Sequence, residues 1–268
     1  MNVNELLMSQ LKDLHLPAFR EQFEPMARRA ERESWSFEKY LSALAQFECD
    51  ARSTHRVERF LKVSRLPIEK SMDNFDLNKL PTKLRRVIPT LAQGTFLDRC
   101  ENVLAFGRPG SGKTHALCAL SQELIRAGRK VYFRPCSLLV QDLLIAKRDL
   151  KLSRVLKQLG GFDAILIDDI GYVQQSREEM EVLFTLLADR YERGSIMITS
   201  NLPFSQWDLI FKDPMTTAAA IDRLVHHSVI LEFNRTSHRI DEAQRRQQQD
   251  QAQDTTATDS NASNNQEE

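Results

Sequence analysis

Gly107-Arg108-Pro109-Gly110-Ser111-Gly112-Lys113-Thr114 fits the pattern G-x-x-x-x-G-K-[ST]. Three glycines let a backbone fold tightly around a phosphate chain with its N–H groups turned inward on the anion. In that reading Lys113 sets a point charge at the β- and γ-phosphates, and the Thr114 hydroxyl ligates Mg²⁺. The flanks agree with the motif. Asn102-Val103-Leu104-Ala105-Phe106 is predicted as a short buried strand running into the loop, and His115 to Arg126 as the helix leaving it, stopped by Gly128. The predicted nucleotide-binding segment is thus Gly107 through His115, with Mg²⁺ as the cation of the bound nucleotide.

Beyond the loop, strand and helix patterns alternate. Strands are predicted at Val131 to Arg134, Ala164 to Asp168, Ser195 to Ser200 and Val229 to Phe233. Helices are predicted within Ser137 to Gln158, from about Arg177 to Arg193, and in two stretches from Phe204 to His226. Five strands separated by helices argue for an α/β fold with a parallel sheet covered on both faces.

Two of these strands end in chemistry. Ala164-Ile165-Leu166-Ile167-Asp168-Asp169 runs from an apolar strand into two carboxylates, which are costly to bury unless a cation or a polar reaction centre offsets them. The carboxyl end of a strand is also where such sheets hold ligands. Asp168 is expected to bind Mg²⁺, directly or through water, and Asp169 to orient or polarise an attacking water, although both residues also suit a surface turn before Gly171. Ile196-Met197-Ile198-Thr199-Ser200-Asn201 ends in short polar residues at the same edge, and Asn201 is chosen to reach the γ-phosphate or its water. The alternative there is an Asx-type turn into Pro203. Arg223, in Ala219 to Val225, reads equally as a surface partner of Asp222 or Glu232 and as an arginine finger on a neighbouring subunit's γ-phosphate.

The segment before the loop reads as helical to about residue 70, with Pro17 and Pro25 as punctuation and a long helix from about Ser36 to Arg65. Residues 71–100 read as a connector, 101–240 as the nucleotide-binding domain. In the long helix Arg52, Arg56, Arg59, Lys62 and Arg65 recur every three or four residues, which gathers them on one side as a candidate DNA-phosphate stripe. The alternative is a solvated face balanced by acids such as Glu48 and Glu58. No base-reading module is visible, so the expected contacts are with the duplex backbone.

The zero net charge hides an asymmetry: from Asp241 onward two basic residues face seven acidic ones, against 35 basic and 30 acidic before it. That Gln/Asn-rich acidic tail, 241–268, has little to bury and is expected to be disordered. Cys49, Cys100, Cys118 and Cys136 form no C-x-x-C pair, so neither a disulfide framework nor a cysteine zinc site is expected. The start of the chain lacks signal-peptide character and no segment approaches membrane-spanning length, which predicts a cytoplasmic protein without a membrane partner.

Taken together, Gly107 to His115, Ile167-Asp168-Asp169-Ile170-Gly171, Thr199-Ser200-Asn201-Leu202, Asp222-Arg223-Leu224 with His226-His227, and Ser237-His238-Arg239 resemble the IstB-like branch of the AAA+ ATPases, close to the DnaC-type helicase loaders. The resemblance covers about residues 5 to 240. It implies a bacterial transposition helper, an ATPase that oligomerises on duplex DNA and assists a partner transposase. It assigns Lys113 and Thr114 to the Walker A role, Asp168 and Asp169 to Walker B, Asn201 to sensor 1 and Arg223 to the finger. The chain departs from the pattern at Asn234 to Arg239, where Gly-x-Ser-Tyr-Arg is usual. Aspartate at 169 rather than glutamate is shared with the IstB-like pattern.

Three classes of function compete on this reading. The first is the ATP-dependent transposition factor; the second is a replicative helicase loader, which differs chiefly in its partner. The third, a small-molecule kinase, needs an acceptor pocket and an arginine-rich lid. Ser137 to Gln158 offers only an amphipathic helix pair instead.

Overall fold

The computed structural model describes residues 3–171, 176–211 and 213–233, with the side chain of Lys79 excepted. The chain divides into two compact units, Met1–Lys62 and Val63–Glu268. The predicted acidic tail and Arg239 lie outside the described residues.

The first unit is helical. Helix α1 (Val3–Asp13) precedes α2 (Pro17–Arg32) and α3 (Phe37–Ser64), the last begun by Ser36, whose hydroxyl accepts the Lys39 amide at 3.3 Å. Pro17 occupies the first turn of α2, where no amide proton is needed, but Pro25 lies inside that helix rather than ending it. No side chain at Leu16 caps α2. The cap comes from α3 instead: Glu48 Oε2 accepts the amides of Ala18 at 2.9 Å and Phe19 at 3.3 Å. Its other oxygen accepts from Arg52 Nε at 2.8 Å, and Arg52 also donates to the His15 carbonyl. Leu11, Met26 and Leu44 are buried.

The second unit begins with a short turn at Leu77–Lys79, followed by α4 (Thr82–Ala92) and α5 (Thr95–Asp98). Here the expected connector is structured. Leu80, Leu84, Ile88 and Leu91 are buried at helical spacing, a stripe that the neighbouring prolines conceal in the sequence. The nucleotide-binding fold follows as β1 (Asn102–Gly107), α6 (Lys113–Arg126), β2 (Val131–Pro135), α7 (Cys136–Arg148), α8 (Leu152–Leu159), β3 (Ala164–Ile170) and α9 (Arg177–Arg190). It closes with β4 (Ser195–Ser200), α10 (Asp208–Phe211), α11 (Pro214–Val225) and β5 (Ser228–Phe233). All pairings are parallel, in the order β2-β3-β4-β1-β5. β1 is thus flanked by β4, the third strand to follow it, and by β5.

Side-chain alternation assigns the two faces. Leu104, Ile165, Ile167, Ile196 and Ile198 join the core built with α7, α9, α10 and α11. Their neighbours in sequence, among them Ala105, Leu166 and Met197, turn to the opposite face, where Ser121 of α6 reaches the Met197 sulfur at 4.0 Å. Asp168 and Thr199 continue that second series, so both emerge on the side of α6. At the amino edge of the sheet Arg190, 2% exposed, spreads its guanidinium over the carbonyls of Leu159, Phe162, Asp163 and Ser195. Gly194 makes room for it, since a Cβ there would lie 2.2 Å from Arg190 Nη2.

Burial works to raise the Glu48 carboxyl, yet the hydrogen bonds from Arg52, Phe19 and Ala18 outweigh it and hold the pKa below the ordinary value of 4.5. A depressed carboxyl stabilises the fold fully above its unfolded pKa and loses that contribution as pH falls through the folded value. Glu48→Gln is therefore expected to remove a cap worth about 1 kcal/mol and to speed amide exchange at Ala18 and Phe19 several-fold at neutral pH. The gap between variant and wild type should close in acid, below about pH 4. Equal exchange of the two proteins at neutral pH would contradict the capping role.

Candidate nucleotide-binding site

The loop after β1 passes through left-handed conformations at Gly110 (φ 77°) and Gly112 (φ 95°). Gly107 is fixed for a steric reason as well. A Cβ there would stand 2.4 Å from the Phe233 carbonyl oxygen and 2.9 Å from the Phe233 Cβ on β5. Lys113 is buried, and its ammonium donates to the loop's own carbonyls, Gly107 O at 2.7 Å and Arg108 O at 3.0 Å. Arg108 and Pro109 are exposed on the rim. His115 Nε2 lies 3.1 Å from the Ser71 carbonyl, and its ring packs on Phe75 with centroids 4.9 Å apart. These two residues of the expected connector therefore line the start of α6.

The carboxylates converge on the same place. Asp168 Oδ1 accepts two hydroxyls, Thr114 Oγ1 at 2.7 Å and Thr199 Oγ1 at 2.6 Å. Thr199 in turn accepts the Asp169 amide at 2.7 Å. Asp169 is exposed and takes φ 64°, a left-handed conformation that an aspartate tolerates better than most residues. It does so inside a bulge where the β3–β4 register shifts between Ile167 and Ile170. One extra residue in β3 thus aims the second carboxylate away from the ladder.

Thr199 is the residue at the end of β4 that touches both carboxylate positions, whereas the sequence reading chooses Asn201. Its signal is there in the strand period: Thr199 pairs with Ala105 and shares a sheet face with Asp168, whereas Asn201 lies one residue beyond β4. Asn201 is half-buried and its Oδ1 has no hydrogen-bond partner among the described residues. Ser111 Oγ, buried in the loop, is likewise without one. An orphaned buried polar atom costs about 1–3 kcal/mol, so both favour a polar ligand against the loop. Thr114 and Asp168 supply the hydroxyl and carboxylate oxygens that Mg²⁺ takes, so this donor set fits that cation.

Arg223 stands elsewhere. Its guanidinium donates to the Ala219 carbonyl at 2.9 Å and covers the Phe184 ring at 5.0 Å; it pairs with neither Asp222 nor Glu232. It lines a small cavity with Asn102, Arg190, Gly194 and Ile196, at the amino edge of the sheet. The phosphate loop follows the carboxyl end of β1, a strand of six residues, so roughly 20 Å separates the two on one chain.

In the first unit, Arg52, Arg56 and Arg59 line an open groove of about 790 Å³ together with Lys12, Arg20 and His55. Lys12 and Arg20 are missed in a reading confined to α3. Arg56 and Lys62 are exposed and make no ion pair among the described residues, while Arg52 is held by Glu48. Arg65 departs from the expected stripe: α3 ends at Ser64, and Arg65, in the second unit, takes φ 59° and covers the Tyr132 ring at 5.6 Å.

A five-stranded parallel sheet in this order, with the phosphate loop after β1, paired carboxylates at the carboxyl end of β3 and polar residues at that of β4, defines an AAA+ type P-loop NTPase. The profile of the IstB-like ATP-binding protein family matches residues 9–248, and the chain belongs to that family of ATPases. An insertion-sequence ATP-binding protein of Sinorhizobium fredii is 40% identical over 230 residues, covering 85% of this chain and 77% of the relative. The ATP-binding protein of insertion sequence IS21 from Pseudomonas aeruginosa is 37% identical over 242 residues, 90% of each chain. In fold, the chain is similar to the DnaC helicase loader, with a TM-score of 0.54 at 17% identity over 62% of this chain and 97% of the loader. It is also similar to the replication initiator DnaA bound to AMPPCP and single-stranded DNA, with a TM-score of 0.53 at 16% identity over 63% and 50%.

Thr199→Val keeps the shape of the side chain and removes the hydroxyl that joins Asp168 to the Asp169 amide. ATP turnover is expected to fall by roughly a hundredfold, since a misplacement of about 1 Å at a reacting centre has that effect. Nucleotide affinity should stay within a few-fold, and Thr199→Ser should retain activity. Wild-type turnover by the valine variant would remove Thr199 from the site.

Proposed function

We propose that the protein is an ATP-dependent DNA-binding ATPase that oligomerises on duplex DNA in the bacterial cytoplasm and assists a partner transposase. The observation that carries this reading is the separation of Arg223 from its own phosphate loop, together with the absence of an ionic partner for it among the described residues. Arg190 provides the contrast, as a buried arginine whose two terminal nitrogens donate to four carbonyls.

In the proposed cycle Lys113 leaves the carbonyls of Gly107 and Arg108 for the β- and γ-phosphates, and Ser111 gains a partner in the loop. Thr114 and Asp168 hold Mg²⁺, which when bound neutralises phosphate charge. Asp169, aimed out of the sheet, accepts a proton from or orients the attacking water, and Asn201 donates to the γ-phosphate or that water. Arg223 of one subunit stabilises the transferring phosphoryl on the next, so hydrolysis reports assembly. The insertion-sequence relatives favour a transposase as the partner; the fold shared with the DnaC loader is what supports the second reading, a replicative helicase loader.

Duplex DNA is assigned to the basic groove of the first unit, where Arg56 and Arg59 offer charge to phosphates, and to the exposed Lys62 further along α3. Neutralising these three together should weaken duplex binding about equally for unrelated sequences and reduce the salt slope by roughly one unit for each phosphate that no longer meets a positive charge. ATP hydrolysis without DNA should be little changed. Equal affinity of wild type and triple variant across a salt titration would take α3 out of the DNA interface.

A further inference from the structure

His226-His227 follows α11 immediately and takes no part in the nucleotide site. Among the described residues, these two histidines and Glu192 form a group whose ligand atoms all lie within 4.8 Å of one another. Glu192 belongs to the turn between α9 and β4, so two segments remote in sequence meet here, at the edge of the sheet opposite the phosphate loop.

We propose that Glu192, His226 and His227 form a transition-metal site, with Zn²⁺ as its cation. Two imidazoles and one carboxylate are the donor set that zinc takes with an open fourth position, whereas Mg²⁺ demands oxygen donors. The donors are exposed, so an ion can enter and the side chains can close the remaining distance. Their backbones are nevertheless fixed. The His226 amide donates to the Asp222 carbonyl at 3.0 Å, and the His227 carbonyl accepts the Asn102 amide of β1 at 2.7 Å. Across the gap, the Tyr191 amide donates to the Leu187 carbonyl at 3.1 Å and the Gly194 amide to the Arg190 carbonyl at 3.1 Å. An outer partner is present too: the Tyr191 hydroxyl lies 3.1 Å from His226 Nδ1, which commits that nitrogen and leaves Nε2 to the metal. A bound ion would pin the end of α11, three residues beyond Arg223, to the turn after α9. Cysteine spacing gives no hint of this site, because it contains no cysteine.

The test is a Zn²⁺ titration of the full chain against a chromophoric chelator. Excess Mg²⁺ keeps the phosphate-loop oxygens occupied, and Cys49→Ser removes the exposed thiol. One equivalent should bind. Glu192→Gln should weaken binding at least roughly tenfold, and His226→Asn/His227→Asn should abolish it. Zn²⁺ should raise the melting temperature of the parent protein but not of the double variant, while the two melt alike without metal. No stoichiometric binding by the parent protein, or undiminished affinity in Glu192→Gln and the double variant, overturns the site.

Discussion

One carboxylate oxygen organises the nucleotide site. Asp168 Oδ1 receives the hydroxyl of Thr114 from α6 and that of Thr199 from β4, and thereby ties together three elements that are far apart in sequence. The sheet order makes this possible: β4 lies between β1 and β3, so the residue below the phosphate loop and the residue beside the carboxylate are the same threonine. Thr199 transmits the constraint once more, through the Asp169 amide, and so helps to keep that aspartate in its left-handed conformation.

The same geometry explains what the site lacks. Among the described residues, Lys113 is the cation brought to the loop interior, where two loop carbonyls accept from it. Arg223 is at the far edge of the sheet, in the last turn of α11. Two guanidinium groups thus share one cavity with different fates. Arg190 saturates the carbonyls that close the amino edge, while Arg223 rests on one carbonyl and an aromatic face. In the proposed account the second is available to a neighbour because the first already performs the structural task.

Much of this was legible in the sequence. The phosphate loop and the three apolar strands that line the site announce themselves, because glycine geometry and continuous apolar runs are local properties. Other features depend on tertiary contacts and were hidden. Thr199 needed the strand register to show which polar residue after β4 faces Asp168. The helix Thr82–Ala92 was masked by prolines, and Pro25 proved compatible with a helix interior. Glu48 reads as a charge that balances its neighbours along α3, yet it caps a different helix across 30 residues of sequence. Arg65 fits the spacing of a basic stripe and fails to join it because the helix stops one residue earlier.

The central claim is that one chain holds an incomplete catalytic site. It is tested most directly by mixing two variants that are each inactive for a different reason, Lys113→Ala without the loop cation and Arg223→Ala without the finger. A mixed assembly contains some interfaces that pair an intact loop with an intact arginine. The account predicts that ATPase activity reappears on mixing and rises with protein concentration, as mass action on assembly requires. Full activity of Arg223→Ala alone, or no recovery in mixtures shown to co-assemble, would contradict it.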